Sequence, residues 1–275
     1  MNKFTFKFNE IKPAEENEYW AYYPNLFSAV TFEEILAEFQ PHCKTYTNKI
    51  YGKVYEAKRI SCVVGANVYG GLNNIKWKTV PFANQIKAIL DNEIMPHFYQ
   101  PDAVGTTKPG MVTTKNREIY YLLSHIYRKG TDYIGFHNDR EALDTPVISV
   151  TFAPQGIKRK FRFRKMGEKS GWEKQFELGH GDLLIMKAGC QRKYKHSVPV
   201  EKTVIEPRIN FTYRYKDKNG KQNPTNTKLV KSPSESVGQL APKIKIGLKG
   251  KIPIMKKLGD LEPMQSNDSV KPAAI

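Results

Sequence analysis

Residues 208–215 read RINFTYRY, an octapeptide that sets Arg208, Asn210, Thr212 and Arg214 against Ile209, Phe211, Tyr213 and Tyr215 at a period of two. Such alternation marks a β-strand with one polar and one apolar face. Upstream, IYYLLSHIY (119–127), PVISVTFAP (146–154), KFRFRK (160–165), WEKQFEL (172–178) and DLLIMK (182–187) are also short, rich in β-branched or aromatic residues, and broken by Gly, Pro and Asp. Strands repeated at this spacing predict a sandwich or jelly roll over about 118–215. Further upstream the period changes to that of a helix. Thr31 and Glu34 have capping-box spacing ahead of Phe32, Ile35, Leu36 and Phe39, and a second helix is predicted from near Thr79, with Pro81 in its first turn and Phe82, Ile86, Ile89 and Leu90 on one face. The fold class is thus α+β, with two helices buttressing a strand-rich core.

The chain has 275 residues, 40% of them hydrophobic, enough for one well-buried domain with extensions. Lys and Arg total 44 against 27 acids, a net charge of +17, so the expected partner is polyanionic. Residues 216–275 hold 12 Lys and 5 acids, a net of +7 that leaves +10 on residues 1–215. That tail lacks aromatic residues and is rich in Lys, Pro, Gly and Ser, a composition that predicts disorder. Its lysine clusters suit either a nuclear localisation signal or a nucleic-acid tether. No apolar run approaches membrane-spanning length and MNKFTFKFNE (1–10) lacks a signal core, so a non-secreted monomer of the nucleus or cytoplasm, with no membrane partner, is expected. Cys43, Cys62 and Cys190 are too few and too scattered for a disulfide framework or a cysteine zinc site.

His137 and Asp139 stand two residues apart. On extended backbone both side chains leave one face about 6.6 Å apart at Cα, near enough to share an ion. His196 is the candidate third ligand, and two His with one carboxylate form the facial set of non-haem iron oxygenases. Read alone, a bare His-x-Asp is common by chance and is more often a pair of solvated polar residues in a loop. The 208–215 strand adds a second signal, because two guanidiniums flanking an amide and a hydroxyl suit a dicarboxylate, although Arg208 and Arg214 lie about 20 Å apart at Cα in a straight strand. An ordinary strand with its polar face in water gives the same pattern.

The ordered combination is more specific. The segments Tyr127-Arg-Lys-Gly130, Asp132-Tyr-Ile-Gly-Phe-His137-Asn-Asp139-Arg-Glu141, Pro146-Val-Ile-Ser-Val-Thr-Phe152, Gly181-Asp-Leu-Leu-Ile-Met186, Gln191-Arg-Lys-Tyr-Lys-His196-Ser-Val-Pro199 and Pro207-Arg208-Ile-Asn210-Phe-Thr212-Tyr-Arg214 together resemble the AlkB family of Fe(II)- and 2-oxoglutarate-dependent nucleic-acid dioxygenases. Weaker similarity reaches upstream through Tyr51 and Tyr69-Gly-Gly71 to Thr31. The resemblance implies a domain over 31–215 with a double-stranded β-helix (jelly roll) core at about 118–215 and a nucleotide-recognition lid at about 50–75, between an extension (1–30) and the basic tail (216–275). It implies iron held by His137, Asp139 and His196, and 2-oxoglutarate held by Arg208, Asn210, Thr212, Arg214 and Tyr127. Where the family has Asn-x-Tyr, this chain has His125-Ile-Tyr127, so His125 is either a substitute co-substrate contact or a packed structural histidine.

On the substrate side the resemblance points to a flipped base held between His137 and an aromatic of the lid, for which Tyr69 is the candidate, with Glu141 beside the methylated base. Arg140 occupies a position where relatives often carry Asp. The implied activity is oxidative demethylation of 1-methyladenine- or 3-methylcytosine-type bases in DNA or RNA, using O₂ and 2-oxoglutarate and releasing succinate, CO₂ and formaldehyde. Two alternatives stay open: the same chemistry on N6-methyladenine in RNA or on a protein side chain, and a nucleic-acid binder without activity. KRKFRFRK (158–165) is the densest basic cluster, and Lys158, Lys160, Arg162 and Arg164 are expected on one strand face, suited to phosphates.

Overall fold

A computed structural model of the chain describes Phe4 and residues 7–50, 53–66, 68, 71–98 and 118–215. In chain order the elements are β1 (Glu15–Glu16), β2 (Trp20–Tyr23), α1 (Phe32–Phe39), β3 (Thr47–Ile50), β4 (Lys53–Glu56), β5 (Ile60–Gly65), β6 (Asn73–Ile75) and α2 (Pro81–Ile89). They continue with β7 (Ile119–Tyr127), β8 (Ile134–His137), β9 (Val147–Phe152), β10 (Arg159–Lys165), β11 (Lys174–Leu178), β12 (Asp182–Met186), α3 (Cys190–Lys193), β13 (Tyr194–Val198) and β14 (Arg208–Tyr215). An eight-stranded sheet runs β1-β2-β12-β9-β14-β7-β5-β6 and a four-stranded sheet β11-β10-β13-β8, while β3 and β4 form a separate hairpin. Two sheets facing each other make the expected jelly roll. Trp20 of the large sheet stacks on Phe163 of the small one at 4.8 Å, within a core shared with Val147, Leu184, Phe161 and Phe176.

The alternation in β14 now has a physical consequence. Ile209, Phe211, Tyr213 and Tyr215 join the helix-side core with Ile35, Phe39, Ile86 and Leu90. The other face is not in water. Arg208, Asn210, Thr212 and Arg214 are 1%, 7%, 7% and 4% exposed, turned into the space between the sheets. Four buried polar side chains in one row are costly unless they find partners, which makes this face the place to look for a ligand.

Both helices follow their sequence signals. Thr31 accepts from Glu34 N at 3.2 Å while Glu34 accepts from Thr31 N at 3.0 Å, the reciprocal cap read from the spacing. In α2 the predicted start near Thr79 is a 3-10 turn (Trp77–Thr79), and the α-helix begins at Pro81, where the missing N–H costs nothing. The freed amides of Phe82 and Ala83 donate to the Glu38 carboxylate at 3.0 and 3.2 Å. Phe82 is half-buried rather than fully in the core, whereas Ile86 and Ile89 are buried as expected.

The core also extends further upstream than 118–215. β5 pairs with β7, and β2 pairs with β12 from within residues 1–30, where Phe8, Phe27 and Val30 are buried too. Among the described residues no helix is long and apolar enough to cross a membrane. The expected disordered tail (216–275) and Tyr69 lie outside the described residues.

Candidate metal and dicarboxylate site

β8 and β13 are antiparallel neighbours, and their register sets His137 directly opposite His196, with ring centroids 4.3 Å apart. Asp139 arrives differently from the extended geometry expected. β8 ends at His137, and Asp139 has φ −86° and ψ 89° before a 3-10 turn at Arg140–Ala142. Gln191 of α3 fixes this departure: its Oε1 accepts from Asp139 N at 3.0 Å and its carbonyl accepts from Asn138 Nδ2 at 3.0 Å. Asp139 Oδ1 then lies 3.8 Å from His137 Nε2, and Oδ2 lies 3.8 Å from His196 Nε2. One ligand atom from each of the three residues falls within 4.8 Å of the others, a spacing that one metal ion can bridge.

Second contacts orient these ligands. His137 Nδ1 lies 2.9 Å from Gly135 O and donates to it, which leaves the Nε2 lone pair toward Asp139. His196 lies over Phe161 with planes 15° apart at 5.4 Å. Burial holds the His137 pKa below its ordinary value and brings His196 down to about 3, so both imidazoles are neutral and able to coordinate at neutral pH. Burial is the largest influence on Asp139 and opposes its ionisation, but the Arg214 guanidinium together with His196 and His137 outweighs it and keeps this carboxyl well below the usual carboxylate range. Arg214 Nη2 is 2.8 Å from Asp139 Oδ2, and its Nη1 is 3.4 Å from both Glu141 Oε1 and the Tyr121 hydroxyl.

Arg208 sits at the other end of the row. Its Nη2 donates to Thr151 Oγ1 at 2.9 Å and to Asn210 Oδ1 at 2.8 Å. Among the described residues its Nε and Nη1 have no hydrogen-bond partner, and its guanidinium faces the Tyr127 ring at 5.4 Å. Burial pushes its pKa down to about 10. A buried cation with two open donors fits a carboxylate that a bound ligand would bring. Asn210 organises the row: Oδ1 also accepts from Ser149 and Thr151, and Nδ2 donates to Thr212 Oγ1 at 3.1 Å.

His125, the register partner of Asn210, lines the same cavity as Tyr127, Thr212 and the three metal-ligand candidates. Glu141 is brought to the edge of the site by Arg214, whereas Arg140 is exposed beside it. Ser149, Thr151, Gln191, Arg59 and Ser61 were not singled out from sequence. Ser149 and Thr151 carried a signal, polar residues at a period of two in an otherwise apolar strand, but only the β9–β14 register turns it into a contact.

The basic cluster at 158–165 divides. Lys160, Arg162 and Arg164 lie on the half-exposed face and Phe161 and Phe163 inside, as expected, but Arg159 is buried. Arg162 stacks on Trp172 at 3.8 Å. Arg164 stacks on Phe136 at 3.8 Å and donates to the Gly171 carbonyl, so part of this face is structural.

Comparison with known proteins adds an independent observation. The family model of the 2OG-Fe(II) oxygenase superfamily matches residues 20–214. The bovine (Bos taurus) DNA oxidative demethylase ALKBH2 is 36% identical over 103 residues, 34% of this chain and 36% of that protein. The human protein of the same name is 26% identical over 207 residues, 70% of this chain and 71% of that protein. Human alpha-ketoglutarate-dependent dioxygenase alkB homolog 3 is 36% identical over 137 residues, 46% of each chain. The chain thus spans about a third of the length of the bovine relative and somewhat over two thirds of human ALKBH2.

Proposed function

The chain belongs to the 2OG-Fe(II) oxygenase superfamily, and on that premise we propose that it oxidatively demethylates N-alkylated bases of the 1-methyladenine and 3-methylcytosine type in DNA, with RNA as a second polymer. The observation that carries the reading is one cavity lined by a His-Asp-His cluster and Arg214, with Arg208, whose Nε and Nη1 are open donors, buried further along the same face of β14. The names of the curated relatives supply the class of substrate. When bound, Fe(II) and 2-oxoglutarate supply, with O₂, the oxidation of the N-methyl carbon that leaves as formaldehyde, while succinate and CO₂ are the co-products.

The chain's own residues do the rest. His137 and His196 through Nε2, with Asp139, would hold the iron. Arg214 keeps Asp139 ionised and, lying against it, would meet the end of 2-oxoglutarate nearest the metal. Arg208, with Nε and Nη1 open, would meet the far carboxylate, ordered by Asn210 and Thr151 and backed by Tyr127. Thr212 completes the polar row between them, and the apolar cover of Phe161, Met186 and Val198 limits water around the reacting atoms. His137 is the most open of the metal set, its side chain 34% exposed, so its ring is available as a wall for a flipped base. Tyr69 is the candidate for the opposite wall. Glu141 would face the cationic alkylated base, and Arg140, exposed in the same 3-10 turn, the adjoining phosphate.

Incubation with Fe(II), 2-oxoglutarate and oligonucleotides carrying 1-methyladenine, 3-methylcytosine or N6-methyladenine tests the proposal by strand mass. Loss of one CH₂ from the first two, dependent on 2-oxoglutarate, is the expected result. Loss from N6-methyladenine alone would move the substrate to the RNA alternative, and loss from none would remove the repair reading.

A further inference from the structure

His125 is 7% exposed on β7, yet its ring lines the cavity. Its Nδ1 is fully engaged on the β5 side. Ser61 Oγ lies 2.6 Å from it and Arg59 Nε 3.2 Å from it. A guanidinium N–H can only donate, so Nδ1 is an acceptor and carries no proton. Burial first, and the Arg59 charge next, hold the pKa of this ring well below the ordinary histidine value, so the ring is neutral and has a single proton. That proton is on Nε2. Ser61 and Asn210 are the register partners of His125 on its two sides, from β5 and β14. With Nδ1 spent toward β5, the Nε2–H edge is the one left to the cavity beside the polar row.

We propose that Arg59 and Ser61 are positioning residues that lock His125 as its Nε2–H tautomer, and that this N–H donates to a carboxylate oxygen of bound 2-oxoglutarate. The ligand in this assignment rests on the function proposed above; the tautomer does not. Arg59 has a second attachment, because its Nη2 donates to the Tyr46 hydroxyl at 2.8 Å. Tyr46 immediately precedes β3 and Arg59 follows β4, so one guanidinium closes the base of the β3–β4 hairpin and sets the tautomer in the co-substrate cavity. The position of the hairpin and the affinity for 2-oxoglutarate are coupled through that side chain.

Two measurements on the full chain test this. In metal-free protein labelled with ¹⁵N-histidine, long-range ¹H–¹⁵N spectra should show an unprotonated Nδ1 and a protonated Nε2 for His125, identified by the signal lost in His125→Asn. A protonated Nδ1 overturns the proposal whether or not any ligand binds. In Fe(II)-loaded protein without O₂, His125→Phe should weaken 2-oxoglutarate binding roughly tenfold to a hundredfold, the loss of one donor to a charged acceptor. His125→Asn, which retains an N–H, should stay within about threefold. Arg59→Met and Ser61→Ala should weaken binding and lower the Nε2–H population together, Arg59→Lys should restore both, and Fe(II) affinity should not change in any of them. A His125→Phe protein that binds 2-oxoglutarate as well as wild type overturns the contact. Wild-type protein that binds no 2-oxoglutarate overturns the oxygenase reading and the contact with it, while the spectra still decide the tautomer.

Discussion

Gln191 carries more of the metal geometry than its place in the sequence suggests. Asp139 lies beyond the end of β8, where nothing in the strand itself directs its carboxylate, and the bond from Asp139 N to Gln191 Oε1 supplies that direction. Gln191→Ala is therefore expected to lower Fe(II) affinity about tenfold to a hundredfold, the usual effect of losing an outer-shell partner, and to cost about 1–3 kcal/mol of stability because the buried Asp139 N–H loses its acceptor. Metal titration of wild type and variant checks it, and equal affinities would show that Asp139 is held without Gln191. His137 and Asp139 were legible as a local His-x-Asp pattern, and the distant His196 through its place in the ordered set of motifs that ends in the 208–214 strand. Gln191 was not, because a glutamine next to a helix start has no signature until the turn after β8 is known to lie against it.

The same residues set a pH dependence. Burial is the main cause that depresses the pKa of His125, His137 and His196, the last to about 3, while in the unfolded chain each takes up a proton near the ordinary 6.5. Their contribution to stability is therefore complete above about pH 6.5 and is lost as the pH falls toward the folded values, because the unfolded state then binds more protons. Urea unfolding of the metal-free protein should give stability that declines across that window, and His125→Asn should make the decline shallower. A wild-type profile that is flat from pH 7 to 5 would contradict buried neutral imidazoles.

At the scale of elements, Arg159 shows how a correctly read strand can hide an individual role. In sequence it is one of six basic residues in KRKFRFRK. In the fold its side chain is fully buried, paired with Glu201 at 2.9 Å and donating to the carbonyls of Lys129, Gly130, Asp132 and Pro199. It ties the loop after β7 to the loop after β13, where Gly130 N and O bond Val204 and Glu201 and a Cβ on Gly130 would lie 1.9 Å from the Glu201 carbonyl. Arg159→Ala removes a buried guanidinium that serves four carbonyls and the Glu201 carboxylate, which keeps only Lys160 among the described residues, and is expected to cost about 3–5 kcal/mol. Thermal melting should show a loss far larger than that of Lys160→Ala on the opposite face of β10, and equal losses would contradict the clamp. Six of the eight strands from 119 onward were legible because each alternates or is bounded by turn residues, whereas the short β8 and β13, which carry His137 and His196, were not read as strands. β2, β5 and β6 were not, because ISCVVG (60–65) is an apolar run without periodicity and NNI (73–75) is too short to show any, so their place beside β7 is fixed by tertiary pairing alone.

For the whole molecule, the net +17 overstates the charge that can meet a phosphate backbone. Arg159, Arg208 and Arg214 are buried and committed to the interior, and Arg192 is paired with Asp144 at 2.7 Å. The +10 of residues 1–215 therefore includes charges that no polyanion can reach, whereas the +7 of residues 216–275 rests on 12 lysines in a sequence without a single aromatic residue. Affinity for nucleic acid should accordingly depend on the tail out of proportion to its length. Cutting the chain after Tyr215 is expected to leave Fe(II) and 2-oxoglutarate binding intact, since every residue of the candidate site precedes that point. It should weaken DNA binding and reduce the slope of log K against log salt by at least about 2, each phosphate contact to duplex DNA accounting for about 0.9. An unchanged slope would assign the phosphate contacts to the folded region, with Lys160 and Arg162 on the outer face of β10 the first residues to replace by alanine.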